Sequence, residues 1–243
     1  MGQFVRRAIL KDNLRYSFDG ANLIMRKDAN TIRDVVEHRE LLLENGTTFS
    51  DKGIVFDGVD DQVNVAGSPL NQITLKAADR PYTLSTWVQE ERNIFSSYII
   101  SRSSGAVVIG MGRNSGQAAS NEVVVQCLSQ LIKGGSGNGS IPAIVPYNQG
   151  DWMNIVYTAP SDVLDAEMFI NGIKVADVSD SINPITQYGT DSVNNIWVLG
   201  RLGLNKINIY KLQGTLGLTT IHSAVLTPEQ ILYNYEVQKH RYL

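Results

Sequence analysis

A chain of 243 residues with 43% hydrophobic and 19% charged side chains can bury a core of its own, and β-sandwiches of this length occur as one domain. The net charge of −3 and a pI near 5.6 leave no basic excess to neutralise a phosphate backbone, which argues against nucleic acid as a partner. The single Cys127 excludes an internal disulfide, and no apolar stretch approaches the length of a membrane span.

Met1 to Leu10 carries charges but no long apolar region behind them, so no secretory signal is predicted. Arg6 stands where a myristoylation motif needs Ser or Thr. A protein made in a cytoplasm, and leaving it by some route other than secretion if at all, is the expectation. Residues 1–12 read as an arm, either an edge strand or a contact to a neighbouring subunit. Leu14 to Phe18 alternates and predicts a strand. Asn45-Gly46-Thr47, like Asn138-Gly139-Ser140 further on, matches the glycan acceptor pattern but reads as a turn.

Gly53 to Val65 holds two short alternating segments around Asp57-Gly58, and predicts a β-hairpin with a tight reversal. Its turn is crowded with Asp57, Asp60 and Asp61. Calcium takes several hard oxygen ligands from such loops. Aspartates also hold turns by accepting from their own backbone amides, and this reading is preferred because no spaced acidic ligand array is visible. The expectation is therefore no cofactor, with calcium as the alternative at these three residues.

Strand patterns continue at Tyr82–Val88, Ser97–Ile100, Ala106–Ile109, Val123–Val125 and Trp152–Tyr157, all β-branched or aromatic runs. Gly110 to Gly116 faintly echoes a dinucleotide loop but lacks a following helix, and reads as a turn. Cys127, in an apolar run with no nearby histidine, reads as a buried inert thiol. Lys133 to Ser140 is a Gly/Ser-rich loop inside the domain. Met168 to Val175 is the strongest hairpin signal, because Asn171-Gly172 suits positive φ at both central turn positions. Ile196–Leu199 and Gly214–Ile221 add two strands. Thr227-Pro228-Glu229-Gln230 opens a C-terminal helix with a capping box and a first-turn proline, and Ile231, Leu232 and Tyr235 form its apolar stripe.

Three stretches in this order resemble the laminin-G-like, concanavalin A-like jelly-roll family: Ile54 to Val63, Phe169 to Val175 and Val225 to Ile231. The strands around Trp87 and Trp152, and Leu199-Gly200-Arg201, fall where that family places its own. The resemblance covers roughly residues 13–243. It implies an all-β, antiparallel β-sandwich of jelly-roll type with a short C-terminal helix, preceded by the arm at 1–12. A narrower resemblance, in Leu14 to Asn22 and Tyr233 to Tyr242, is to stand-alone domains of tailed-phage structural proteins. It implies a non-catalytic component of a virion assembled in a host cytoplasm, a surface decoration or a tail- or fibre-associated protein. Other virion proteins would then be the partners, through residues 1–12, in a homo-oligomer.

The alternative is a carbohydrate-binding adhesin recognising host glycans. Trp87, Trp152 and Trp197 lie in apolar strands and read as core, so Tyr147 and Tyr188, in predicted loops, are the candidate glycan-contacting aromatics. A glycoside hydrolase is the third reading and would need two carboxylates facing a cleft. The strands Ala106–Gly112 and Asn121–Leu128 hold no such pair, and Glu90-Glu91 point to opposite faces. Asp165-Ala166-Glu167 has the spacing, but it leads straight into the hairpin and reads as a solvated strand end. His38, His222 and His240 are scattered and no Gly-x-Ser-x-Gly elbow exists, so catalysis is not expected.

Overall fold

Strict alternation of side chains along two adjacent central strands, Tyr82–Glu90 (β8) and Trp152–Ala159 (β13), decides the architecture. Tyr82, Leu84, Val88, Met153, Ile155, Tyr157 and Ala159 point into one core, while Trp87, Trp152 and Val156 point out of the opposite face. A strand apolar on both faces needs cover on both. The computed structural model describes residues 9–36, 38, 40–64, 81–91, 97–102, 107–112, 122–127, 141–180, 197–200 and 211–243.

The strands, numbered along the chain, form two antiparallel sheets. The first has the order β15 (Ile173–Asp177), β14 (Glu167–Ile170), β13, β8, β17 (Gln213–His222), β6 (Ile54–Asp57), β5 (Thr48–Phe49). β1 (Leu14–Phe18) pairs with the C-terminal half of β17. The second runs β12 (Ile141–Pro146), β11 (Glu122–Cys127), β10 (Val107–Gly112), β9 (Ser97–Arg102), β16 (Trp197–Leu199), β7 (Gln62–Asn64), β4 (Glu40–Glu44), β3 (Thr31–Arg33), β2 (Arg26–Asp28). Leu84, Ile155 and Leu216 of the first sheet and Ile32, Val63, Ile109 and Val125 of the second are all 0% exposed in a shared core. Burial of each such side chain contributes about 1.5–3 kcal/mol. The chain is thus an all-β sandwich with one short helix, as expected. Among the described residues no helix is long and apolar enough to cross a membrane.

The hairpin expected over 53–65 is not one. β6 pairs with β17 and β5, whereas β7 pairs with β16 and β4, so residues 58–61 carry the chain from one sheet to the other. Alternation fixes which face of a strand is buried but not which strand it pairs with. Four connecting residues can span about 13 Å, enough for the roughly 10 Å between packed sheets. By contrast, Asn171-Gly172 does close a two-residue hairpin, with Ile170 opposite Ile173 and φ of 51° and 81° at the two turn residues. Gly110 and Gly112 lie within β10 rather than in a turn. β12, with Pro142 and Pro146, is an edge strand, where missing ladder donors cost nothing. The Gly/Ser-rich stretch 133–140 lies outside the described residues.

The outer face of the first sheet is covered by the C-terminus. The helix α1 (Pro228–Gln238) opens on Thr227, whose hydroxyl accepts from Gln230 N while the Gln230 side chain accepts from Thr227 N. Ile231 packs on Val156, Phe169 and Leu226 in a small separate cluster. The expected stripe is rotated: Ile231 and Asn234 are buried, whereas Leu232 is 44% exposed. A 3-10 turn, Lys239–Arg241, then delivers Tyr242 onto Trp87 and Trp152, with ring centroids 4.4 and 4.6 Å apart. Opposite Trp87 the ladder bulges: Leu216 pairs with Val88 and Thr219 with Thr86, so Gly217 and Leu218 share one partner position. The Leu218 N–H turned out by the bulge donates to the Tyr242 hydroxyl at 2.7 Å. A Cβ on Gly217 would lie 2.7 Å from that hydroxyl oxygen, so residue 217 has to be glycine for the tyrosine to dock.

The described end of the N-terminal arm lies on the sandwich itself. Leu10 N donates to Asn234 Oδ1 at 2.9 Å, His222 Nε2 donates to Leu10 O at 3.1 Å, and Ser223 N donates to Asn13 O at 2.8 Å. Residues 1–8 lie outside the described residues. His222 is 0% exposed and its Nδ1 has no partner. Burial pulls its pKa below the ordinary histidine value of 6.5, against the opposing effect of the Leu10 carbonyl. The unfolded chain therefore takes up a proton at higher pH than the folded chain does. The stability His222 leaves intact above pH 6.5 is lost as the pH falls through its lower folded value. The unfolding midpoint is expected to drop between pH 7 and pH 5 more steeply in the parent than in a His222→Gln variant. Parallel midpoint–pH curves for the two would show that His222 takes up its proton as readily in the folded chain as in the unfolded one, and would contradict this.

Candidate functional site

The sheet-to-sheet crossing gathers three carboxylates. Asp57 ends β6, and its Oδ1 accepts from Val59 N at 2.6 Å, an Asx turn helped by Gly58 at φ 76°. The Asp57 N–H donates to Asp61 Oδ2 at 2.7 Å, so Asp61 folds back over the turn it closes. One carboxylate oxygen from each of Asp57, Asp60 and Asp61 lies within 4.8 Å of the others. Asp57 and Asp60 are exposed, whereas Asp61 is 3% exposed. Its Oδ1 is buried with no hydrogen-bond partner. Burial pushes the Asp61 carboxyl above its ordinary range, and the charges of Asp57 and Asp60 add to this; the Asp57 N–H and Lys211 pull the other way. Asp57 and Asp61 thus hold the turn by accepting from backbone amides, through one oxygen each.

A second turn abuts the first. Asn45 and Gly46, between β4 and β5, both have positive φ, of 61° and 101°. The Asn45 amide donates to Asp60 O at 3.0 Å. Gln62 sits opposite Glu44 in the β7–β4 ladder and donates to its carboxylate through Nε2, while Gln62 Oε1 is buried without a partner. Sequence reasoning did not associate Asn45, Gly46 or Glu44 with the aspartates. They lie more than ten positions away, and only strand pairing brings them together.

Tyr147, expected on a loop surface, is 6% exposed and belongs to the core. Its hydroxyl accepts from Glu90 N at 2.8 Å and donates to Glu90 O at 3.0 Å, and burial pushes its pKa up to about 12. It braces the end of β8 and offers no ring to a sugar; a position just past a strand looks like a loop in sequence, but this one tucks under the sheet. Tyr188 lies outside the described residues. Trp87 and Trp152 are buried, but beneath α1 and Tyr242 rather than between the sheets. Glu90 is buried and Glu91 exposed, on opposite faces as read. Glu167 pairs with Lys174 at 2.6 Å on the β14–β15 hairpin, and Asp165 is exposed in a 3-10 turn before it. Cys127 is buried and its thiol is pushed well above the ordinary range by desolvation.

No protein-family model matches the chain, and no curated protein matches it in sequence. Solved structures match its fold. Trypanosoma rangeli sialidase in complex with sialic acid aligns with a TM-score of 0.69 at 11% identity, over 97% of this chain and 34% of that one. The botulinum neurotoxin serotype D binding domain aligns with a TM-score of 0.60 at 14% identity, over 93% of this chain and 52% of that one. A further structure described as a receptor binding domain gives 0.56 at 15% identity, over 93% and 51%. The chain therefore spans about a third of the sialidase's length and about half of each binding domain's. At these identities what the chain shares with them is the β-sandwich fold.

Proposed function

We propose that this chain is a non-catalytic recognition module whose ligands are glycans. The observation that carries the reading is the near-complete overlap of this sandwich with part of a sialidase solved with sialic acid and with parts of two binding domains. The acid groups support binding without turnover. Among the described residues, Glu167 is committed to Lys174, Asp165 sits exposed at a strand end, and Glu90 and Glu91 part to opposite faces. None of these forms a pair of carboxylates lining a common trough, which glycoside hydrolysis by two acids requires. The virion-surface role implied by the chain's ends is the second choice, because the likeness in fold is to a sialidase and to binding domains.

A glycan array probed with the full chain, carrying sialylated and neutral oligosaccharides, tests the reading. Saturable signal on a defined subset is the expected result, together with no release of monosaccharide from those glycans in solution. An array with no signal above background would overturn the ligand class, and released sugar would overturn the absence of turnover.

A further inference from the structure

We propose that His222 is an acid-sensitive latch: neutral, it holds residues 9 and 10 of the N-terminal arm on the outer face of the first sheet, and on taking up a proton it releases them while the sandwich stays folded. His222 pairs with Thr83, which shares the outward parity of Trp87 on β8. It is 0% exposed, and its Nε2 lies 3.1 Å from Leu10 O. A carbonyl can only accept, so in the neutral form Nε2 carries the ring's proton and Nδ1 is bare. That Nδ1 is buried without a partner. A second proton has only Nδ1 to go to, and the N–H formed there would find no acceptor.

The surroundings do not compensate the charge. The ionisable groups beside Leu10 and His222 on the elements packed there are Lys11 and Asp12 in the arm, Arg15 on β1, and Tyr233 and Glu236 flanking Asn234 on α1; on β8, Tyr82 points into the core. Among the described residues none of these acts on the His222 proton. Burial opposes it, and the Leu10 carbonyl, which favours it, is the weaker influence. A buried imidazolium with one donor unmet is relieved by admitting water, so one of its covers has to move.

The arm is the cover that yields. On either side, the His222 backbone lies in sheet ladders, opposite Leu14 of β1 and Thr83 of β8. The C-terminal segment is tied down through Thr83, whose hydroxyl donates to Ala224 O at 2.8 Å and accepts from Leu226 N at 2.9 Å, with the Leu226 side chain packed on Val156, Phe169 and Ile231. Ile9 and Leu10, by contrast, are only half-buried. Among the described residues two hydrogen bonds hold them, Leu10 N to Asn234 Oδ1 at 2.9 Å and His222 to Leu10 O. Few buried contacts and few bonds make a segment that opens before the rest. A pivot is in place. The turn from Lys11 to Leu14 is closed by Leu14 N to Lys11 O at 3.0 Å, and Asn13, at φ 58°, keeps its carbonyl on Ser223 N at 2.8 Å. Residues 9 and 10 can therefore lift about this turn without disturbing β1.

The test is backbone relaxation NMR on the full chain from about pH 7.5 down to about pH 4.5, with the His222 ring titrated in the same samples by its own proton signals. The Leu10 amide should have an order parameter of about 0.85 at the upper end and below about 0.6 once His222 is charged. The change should follow the ring's titration, below pH 6.5, while Ile155 in β13 stays rigid throughout. His222→Gln keeps a donor for Leu10 O but takes up no proton, so its Leu10 amide should stay rigid over the whole range. Asn234→Ala leaves the histidine in place and removes the acceptor of Leu10 N. With less docking for the proton to overcome, release should move to higher pH, toward 6.5. A Leu10 amide in the parent as rigid at the lower end as at the upper, equal loosening in the glutamine variant, an unchanged release pH in Asn234→Ala, or loosening of Ile155 together with Leu10 would overturn the proposal.

Discussion

Replacing Trp87 by alanine will cost the folded chain about 3–5 kcal/mol, the range for removing a fully buried tryptophan. Trp87 is 0% exposed and lies between Tyr242, 4.4 Å away, and Tyr235, 5.6 Å away, both rings near parallel to it. Its Nε1 donates to Gln238 Oε1 at 2.5 Å. The indole is therefore the surface on which the C-terminus is seated, and its loss opens a cavity at the centre of the first sheet's outer face. For a chain of this size the midpoint should fall by roughly 2–4 °C per kcal/mol. Trp87→Phe keeps a stacking ring but not the N–H, and should recover more than half of the loss. Equilibrium urea unfolding of the three proteins checks this. A loss below about 1 kcal/mol for the alanine variant would mean that α1 and Tyr242 rest on the sheet without stabilising it.

Arg241→Ala will cost about 3 kcal/mol for a different reason. The guanidinium grips the carboxylate of Asp19 through both terminal nitrogens, with Nη2 to Oδ1 at 2.6 Å. The Asp19 side chain is 6% exposed, and the Arg241 side chain 33%. Breaking a buried pair by deleting one member strands the other charge, at about 3–5 kcal/mol; partial exposure of the arginine puts this pair at the low end. Replacing Asp19 by Asn in the Arg241→Ala background should restore part of the stability, because no charge is then stranded. Each variant's urea midpoint gives the comparison, and an Arg241→Ala chain as stable as the parent would contradict it. Lys52 Nζ also donates to the Arg241 carbonyl, and Tyr242 is the next residue. Arg241 and Trp87 thus act on one docked segment. Losses in the double variant Trp87→Ala, Arg241→Ala should be less than additive, because undocking the segment once removes both sets of contacts.

What could be read in the sequence divides along physical lines. Local signals survived intact: Asn171-Gly172 closes its hairpin, Thr227-Pro228-Glu229-Gln230 starts its helix, and the alternating runs at Tyr82–Val88 and Trp152–Tyr157 are strands. Each depends on a few neighbouring residues. Pairing did not survive. β6 and β7 look like one hairpin because they alternate in the same phase around an Asp-Gly, but β6 pairs with β5 and the distant β17, and β7 with β4 and the distant β16. Trp87 and Trp152 read as core and are buried, yet the alternation that assigns them to the outer face names no cover. That cover is Tyr242, known only once the C-terminus is seen to return. At the site, Asp57, Asp60 and Asp61 could be picked out by type and spacing. The unpartnered oxygen of Asp61 and its close approach to Gly46 depend on the β4–β5 turn meeting the crossing, which no local pattern encodes. Tyr147 failed for the same reason: the backbone of Glu90 that claims its hydroxyl lies across the fold.

Saturation-transfer NMR on the full chain, mixed with the oligosaccharide giving the strongest array signal, tests most directly whether this sandwich recognises sugars and leaves them whole. Transfer to the sugar protons is expected, with every anomeric signal unchanged after overnight incubation. New anomeric signals growing with time, or a complete absence of transfer at millimolar sugar, would contradict it.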